Sequence, residues 1–97
     1  MSTRTPRLPA KSEFGTVLLA LIAERGWTYT QAAAALGIDQ SYISRLVRGS
    51  RHPHVGLICR MCTVFALSDV ATVRLYRMAG HLPADIARRI IDALEAA

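Results

Sequence analysis

Between residues 40 and 48 the chain reads Gln-Ser-Tyr-Ile-Ser-Arg-Leu-Val-Arg, and its polar members Gln40, Ser41, Ser44, Arg45 and Arg48 share one face at helical spacing. These side chains form hydrogen bonds rather than make or break covalent ones: arginine presents a forked cation, glutamine a donor beside an acceptor, serine a rotatable hydroxyl. Groups of that kind match the base edges exposed in the major groove of a duplex. A second constellation follows directly. His52, His54, Cys59 and Cys62 spell H-x-H-x4-C-x2-C, four residues of the types that bind zinc, and the two cysteines alone could pair or attack as thiolates. The spacing favours packing over either chemistry. Cys62 falls on the apolar stripe of a helix, the histidines precede that helix in a loop, and no flanking glycines or second knuckle accompany them. No metal or cofactor is therefore expected. Nor is catalysis, because there are no paired carboxylates, nucleophile elbow or glycine-rich phosphate loop, and the acids are scattered over different helices.

Something must hold the polar face of residues 40–48 in place, and the preceding residues carry the signals for it. Thr28 and Gln31 have the spacing of a capping box, which starts a helix at Tyr29. Asp39 stands at the N-cap position of a second helix, after the Leu-Gly-Ile break, and Gly49 ends that helix. Two helices meeting in a tight turn at roughly 90–120° leave no room for large side chains, and Ala33 and Gly37 stand at that crossing. Gly37 can also take the positive φ of a sharp turn. Ala32, Leu36, Ile38, Ile43 and Leu46 then face inward. Residues 28–49 thus read as a clamped pair of short helices with arginines on the outer face, the geometry that groove reading requires.

The rest of the 97-residue chain sets the bounds. That length makes one domain with a modest core and no room for a separate sensing or catalytic domain. At 52% apolar the chain is not disordered, and abundant alanine and leucine with short β-branched runs favour an all-α bundle. No apolar run reaches the roughly 18 residues of a membrane span, and no signal-peptide core opens the chain, so a cytoplasmic location is expected. Net charge is +5 and the isoelectric point is near 10.0. Residues 1–12 hold Arg4, Arg7 and Lys11, residues 40–68 hold Arg45, Arg48, Arg51 and Arg60, and neither stretch has an acid. Positive charge gathered in this way suits a phosphate-facing surface.

Pro6 and Pro9 make residues 1–11 an extended basic arm, from which Arg4 and Arg7 could enter a minor groove. Ser12 caps a helix running to about Arg25, with Phe14, Val17, Leu18, Leu21 and Ile22 inward and Trp27 plugging the core after it. A fourth helix over residues 55–66 buries Ile58, Met61, Cys62 and Phe65. Ser68 and Asp69 open a fifth, with Val70, Val73, Tyr76 and Ala79 inward, Arg74 and Arg77 outward, and an end at Gly80. Residues 12–80 form the domain body and 81–97 a C-terminal amphipathic element. Its Ile86, Ile90, Ile91 and Leu94 are more apolar surface than a lone terminal helix needs, so it folds back on the fifth helix or packs against a second copy.

Residues 28–49 resemble the helix-turn-helix of the lambda-repressor and Cro family, also called the XRE family, and the resemblance extends over residues 14–68. Gln-Ser-Tyr-Ile-Ser-Arg-Leu-Val-Arg-Gly is similar to its recognition helix. The resemblance implies a lambda-repressor-like bundle of about five helices plus a sixth, and a double-stranded DNA-binding transcriptional regulator, most simply a repressor. Gln40, Ser41, Ser44 and Arg45 would face base edges. Tyr29, Arg48, Ser50, Arg51 and His52 would hold the DNA backbone, since the family's loop after Gly49 crosses it. Operators in such families are usually inverted repeats, which favours a homodimer formed through Ile86, Ile90, Ile91 and Leu94. The alternatives are an antitoxin-like adaptor whose last helix binds a protein partner, and a zinc- or redox-sensing regulator acting through Cys59 and Cys62. Two positions depart from the family. Many relatives pair an arginine with a glutamate where this chain has Ile22 and Val47, a replacement that can be neutral or stabilising. At Tyr29 the family commonly has a glutamine that contacts a phosphate and steadies the first residue of the recognition helix; a tyrosine hydroxyl can still donate to phosphate, but Gln40 loses that partner.

Overall fold

The computed structural model describes residues 12–96. They form α1 (Glu13–Glu24), α2 (Tyr29–Leu36), α3 (Gln40–Arg48), α4 (Val55–Val64), α5 (Asp69–Met78) and α6 (Ala84–Ala96), with no strand among the described residues. This is the all-α helix-turn-helix arrangement expected. Arg4 and Arg7 lie outside the described residues. The chain divides after His52 into two compact units.

In the first unit, local signals start and stop each helix. The Ser12 hydroxyl accepts from Gly15 N–H at 2.9 Å and caps α1. Both halves of the capping box are present at α2: Gln31 N–H donates to Thr28 Oγ1 at 3.1 Å, and Thr28 N–H donates to Gln31 Oε1 at 2.8 Å. At the end of α2 Gly37 takes φ 70, where a β-carbon would cost about 1–2 kcal/mol. That turn lets Ile38 N–H reach back to the Ala33 carbonyl at 3.0 Å. Asp39 occupies the N-cap position of α3 as expected, but its side chain makes no capping hydrogen bond; its carbonyl starts the helix by accepting from Tyr42 and Ile43.

Phe14, Leu18 and Ile22 of α1, Ala32, Ala33 and Leu36 of α2, and Ile43, Leu46 and Val47 of α3 are buried, and α3 packs on both other helices. Each large side chain so buried contributes about 1.5–3 kcal/mol, and three on one side of a nine-residue helix fix its rotation. Ile22 and Val47 lie in the core as packed aliphatics. Trp27 is half-buried rather than a core plug, and the Arg25 guanidinium lies 5.6 Å from the centre of its ring.

The second unit holds α4 to α6. His54 Nδ1 accepts from Leu57 N–H at 3.2 Å and caps α4. His81 Nε2 lies 2.8 Å from the Pro53 carbonyl, which can only accept, so the ring donates and ties the turn before α6 to the start of α4. The fourth helix ends at Val64, two residues sooner than its pattern suggests, because Ala66 takes φ 51 and Leu67 N–H closes back on the Cys62 carbonyl at 3.0 Å. A left-handed alanine is strained. Ala66→Gly should therefore raise stability by about 0.5–1 kcal/mol, after allowing for the greater freedom of glycine in the unfolded chain, visible as a higher melting temperature.

Leu57, Ile58, Met61 and Phe65 are buried, whereas Cys62, expected to be buried, is half-buried and Cys59 is exposed. On α5 the fully buried large residue is Leu75, while Val70, Val73 and Tyr76 are half-buried, so the buried stripe is rotated from the one read in the sequence. α6 packs on α5 and buries Ala87. Ile86, Ile91 and Leu94 are half-buried and Ile90 remains 37% exposed. Among the described residues no helix is long and apolar enough to cross a membrane.

Candidate nucleic-acid interface

Because Ile43, Leu46 and Val47 point into the core, the other side of α3 must face out. Gln40, Ser41, Arg45 and Arg48 are exposed and Ser44 is half-buried. The structure therefore brings all the residues expected to read bases onto one outward face. Their hydrogen bonds sort them further. Thr30 Oγ1 donates to Gln40 Oε1 at 2.8 Å, which pins the carbonyl half of that amide and leaves its NH2 as the outward donor. Gln40, the first residue of α3, is thus steadied by the hydroxyl of Thr30 rather than by Tyr29. Arg48 donates to Ser44 Oγ at 2.9 Å, a pairing one turn apart that holds both side chains along the helix and leaves the Ser44 O–H to donate elsewhere. Ser41 and Arg45 complete the exposed face.

The C-terminal end of α3 is built by its neighbours. Gly49, at φ 82, donates to the Leu46 carbonyl, and Ser50 N–H donates to the Arg45 carbonyl at 3.0 Å. The Ser50 hydroxyl adds a second bond to that carbonyl at 3.3 Å, so Ser50 caps α3. Arg51 leaves the loop with its guanidinium 5.7 Å from the centre of the Tyr42 ring, a cation–π distance. Tyr42 is half-buried and Tyr29 likewise, and His52 is exposed. Arg45, Arg48 and Arg51 bring three positive charges to this end of the unit with no acid between them in the chain.

Two residues of this surface, Thr30 and Tyr42, were missed in the sequence. Thr30 looked like an unremarkable first-turn residue, and its partner is ten positions away on another helix. The signal for Tyr42 was its aromatic ring nine residues before an arginine beyond a glycine, which says nothing until the loop's path is known.

The chain matches a family described as a helix-turn-helix domain over residues 13–75. No curated protein sequence matches it.

Proposed function

The chain belongs to the helix-turn-helix domain family, and on that premise we propose that it is a sequence-specific, double-stranded DNA-binding transcriptional regulator of the lambda-repressor and Cro type, acting as a repressor by occupying its operator. The observation that carries this reading is the two-sidedness of α3: one side is locked into the core by Ile43, Leu46 and Val47, and the other presents Gln40, Ser41 and Arg45. A short helix so held can enter a major groove without reorganising. Gln40, with its amide NH2 outward, suits an acceptor on a base edge, and Arg45 suits the paired acceptors of guanine. Ser44 takes part in base reading through the same turn as Arg48. Tyr29, Arg48 and Arg51 hold phosphates, with Ser50 and His52 at the margin of the same loop and Arg4 and Arg7 reaching from the arm.

Two copies reading an inverted repeat complete the proposal, paired through α6, where Ile90 stands out and Ile86, Ile91 and Leu94 are partly covered. Light scattering checks this arm: a dimer supports pairing, and a monomer on DNA of single half-sites removes it.

Selection of bound fragments from sheared genomic DNA tests the whole reading. A recurrent motif should emerge, and its affinity should fall with salt with a slope of about −0.9 for each phosphate neutralised. Enrichment of no sequence over bulk DNA would sink it. With a bound fragment in hand, Thr30→Val should leave stability unchanged but release the Gln40 amide. Discrimination at the base pair facing Gln40 should then relax by about 0.5–1.5 kcal/mol, the worth of one such hydrogen bond, measured by competition between operator variants.

A further inference from the structure

Cys59 and Cys62 play no part in the DNA-binding face. They lie three positions apart within α4, on one side of the helix, where β-carbons stand about 5–6 Å apart. A disulfide needs them at about 3.5–4.5 Å, so joining the two sulfurs directly would force α4 to distort. Inserting one atom between them removes the mismatch, since two metal–sulfur bonds of about 2.3 Å span up to about 4.6 Å between sulfurs. Both thiols are free; Cys59 is exposed and Cys62 half-buried, so an ion can reach them.

The choice of ion follows from the number of ligands. Structural zinc takes four, but among the described residues no group of three or more histidine, cysteine or carboxylate side chains is placed to hold a metal. His54, the histidine nearest in sequence, uses Nδ1 to cap α4. Thiolate ligands select soft ions such as Cu(I), and a closed-shell monovalent ion can be satisfied by two of them. A third group supports the pair from α5. Tyr76 lies close enough to Cys59 and Cys62 for its hydroxyl to feel both thiols. A phenol hydroxyl so placed is a donor that sulfur can accept.

We propose that Cys59 and Cys62 form a two-coordinate site for one soft monovalent cation of the Cu(I) class per chain, with the Tyr76 hydroxyl donating a hydrogen bond to the Cys59 sulfur. Two S–H bonds give up their protons to solvent, two sulfur–metal bonds form, and no electron changes hands. The bound site, two thiolates around one monovalent cation, carries one net negative charge. It draws on no residue assigned to DNA contact, so it stands or falls separately from the DNA-binding reading.

The test is a titration of the reduced full-length chain with Cu(I) under anaerobic conditions, using bicinchoninate as the coloured competitor. One ion per chain should be withdrawn from the competitor. Because Cys59 is exposed, Cys59→Ser should keep the helical circular dichroism of the parent and lose the ability to compete; Cys62→Ser should do the same. Tyr76→Phe should keep the stoichiometry and weaken affinity about tenfold, as loss of a hydrogen bond to a metal ligand does. Undiminished competition by Cys59→Ser, one ion shared by two chains, or displacement of Cu(I) by equimolar Zn(II) would each overturn the assignment.

Discussion

Gly15→Ala should destabilise the protein by about 2 kcal/mol even though alanine is the better helix former. Gly15 lies in the first turn of α1 and is buried. A β-carbon built there would overlap the Val47 carbonyl oxygen and come within 3.0 Å of the Leu46 carbonyl oxygen. These are backbone atoms of the last turn of α3, and they cannot swing aside as a side chain would. Propensity alone would make the substitution stabilising by about 1 kcal/mol. Overpacking costs about 1–3 kcal/mol where side chains can adjust, and helices that must part should cost at least the upper value, so the clash wins. For a domain of this size each kcal/mol lowers the melting temperature by about 4–8 °C, and a loss on the order of 10 °C is expected by calorimetry. A variant as stable as the parent, or more so, would show that α1 and α3 do not approach through Gly15. The same substitution bears on function, because the displaced turn of α3 carries Arg45 and Arg48.

Gly15 also marks where reading the sequence runs out. Features set within one turn of the chain were legible: the Thr28 and Gln31 box, the left-handed Gly37, the Gly49 stop and the inward Ile43 and Leu46 each announce themselves within a few residues. Features set by one helix approaching another were not. A glycine in the first turn of α1 reads as a local weakness until Val47 is seen against it. Thr30 meets Gln40 across a turn whose angle no residue type encodes. On α5 the Val70, Val73 and Tyr76 series satisfies helical periodicity as well as one centred on Leu75 does, and the packing of α4 and α6 on α5 decides between them. Ala66 is opaque for another reason: nothing in an Ala-Leu pair signals a left-handed stop where glycine would be expected. The outer face of α3 was read correctly because it is the complement of a buried stripe, and the stripe is a local pattern.

The roles on that face separate most cleanly in a comparison of Arg45 and Arg51. Both are exposed arginines six residues apart, so net charge cannot tell them apart, but their settings can. Arg45 projects from the middle of the rigid face of α3, while Arg51 leaves the loop beyond the Gly49 stop and rests over the Tyr42 ring, a contact worth about 0.5–1 kcal/mol at an exposed site that aims it before DNA arrives. Arg45→Ala should cost about 1–3 kcal/mol at one base position of the operator and relax discrimination there. Arg51→Ala should weaken every sequence alike and flatten the dependence of log affinity on log salt by about one unit. Lysine substitutions sharpen the contrast, because lysine keeps the charge but loses the fork that fits paired acceptors. Arg51→Lys should preserve the salt slope and most of the affinity, whereas Arg45→Lys should preserve the slope and lose the base preference. Binding of operator variants across a salt series measures all four proteins. If the Arg45 and Arg51 substitutions gave the same losses on every sequence, α3 would be touching the backbone rather than reading the groove, and base recognition would have to be sought elsewhere in the chain.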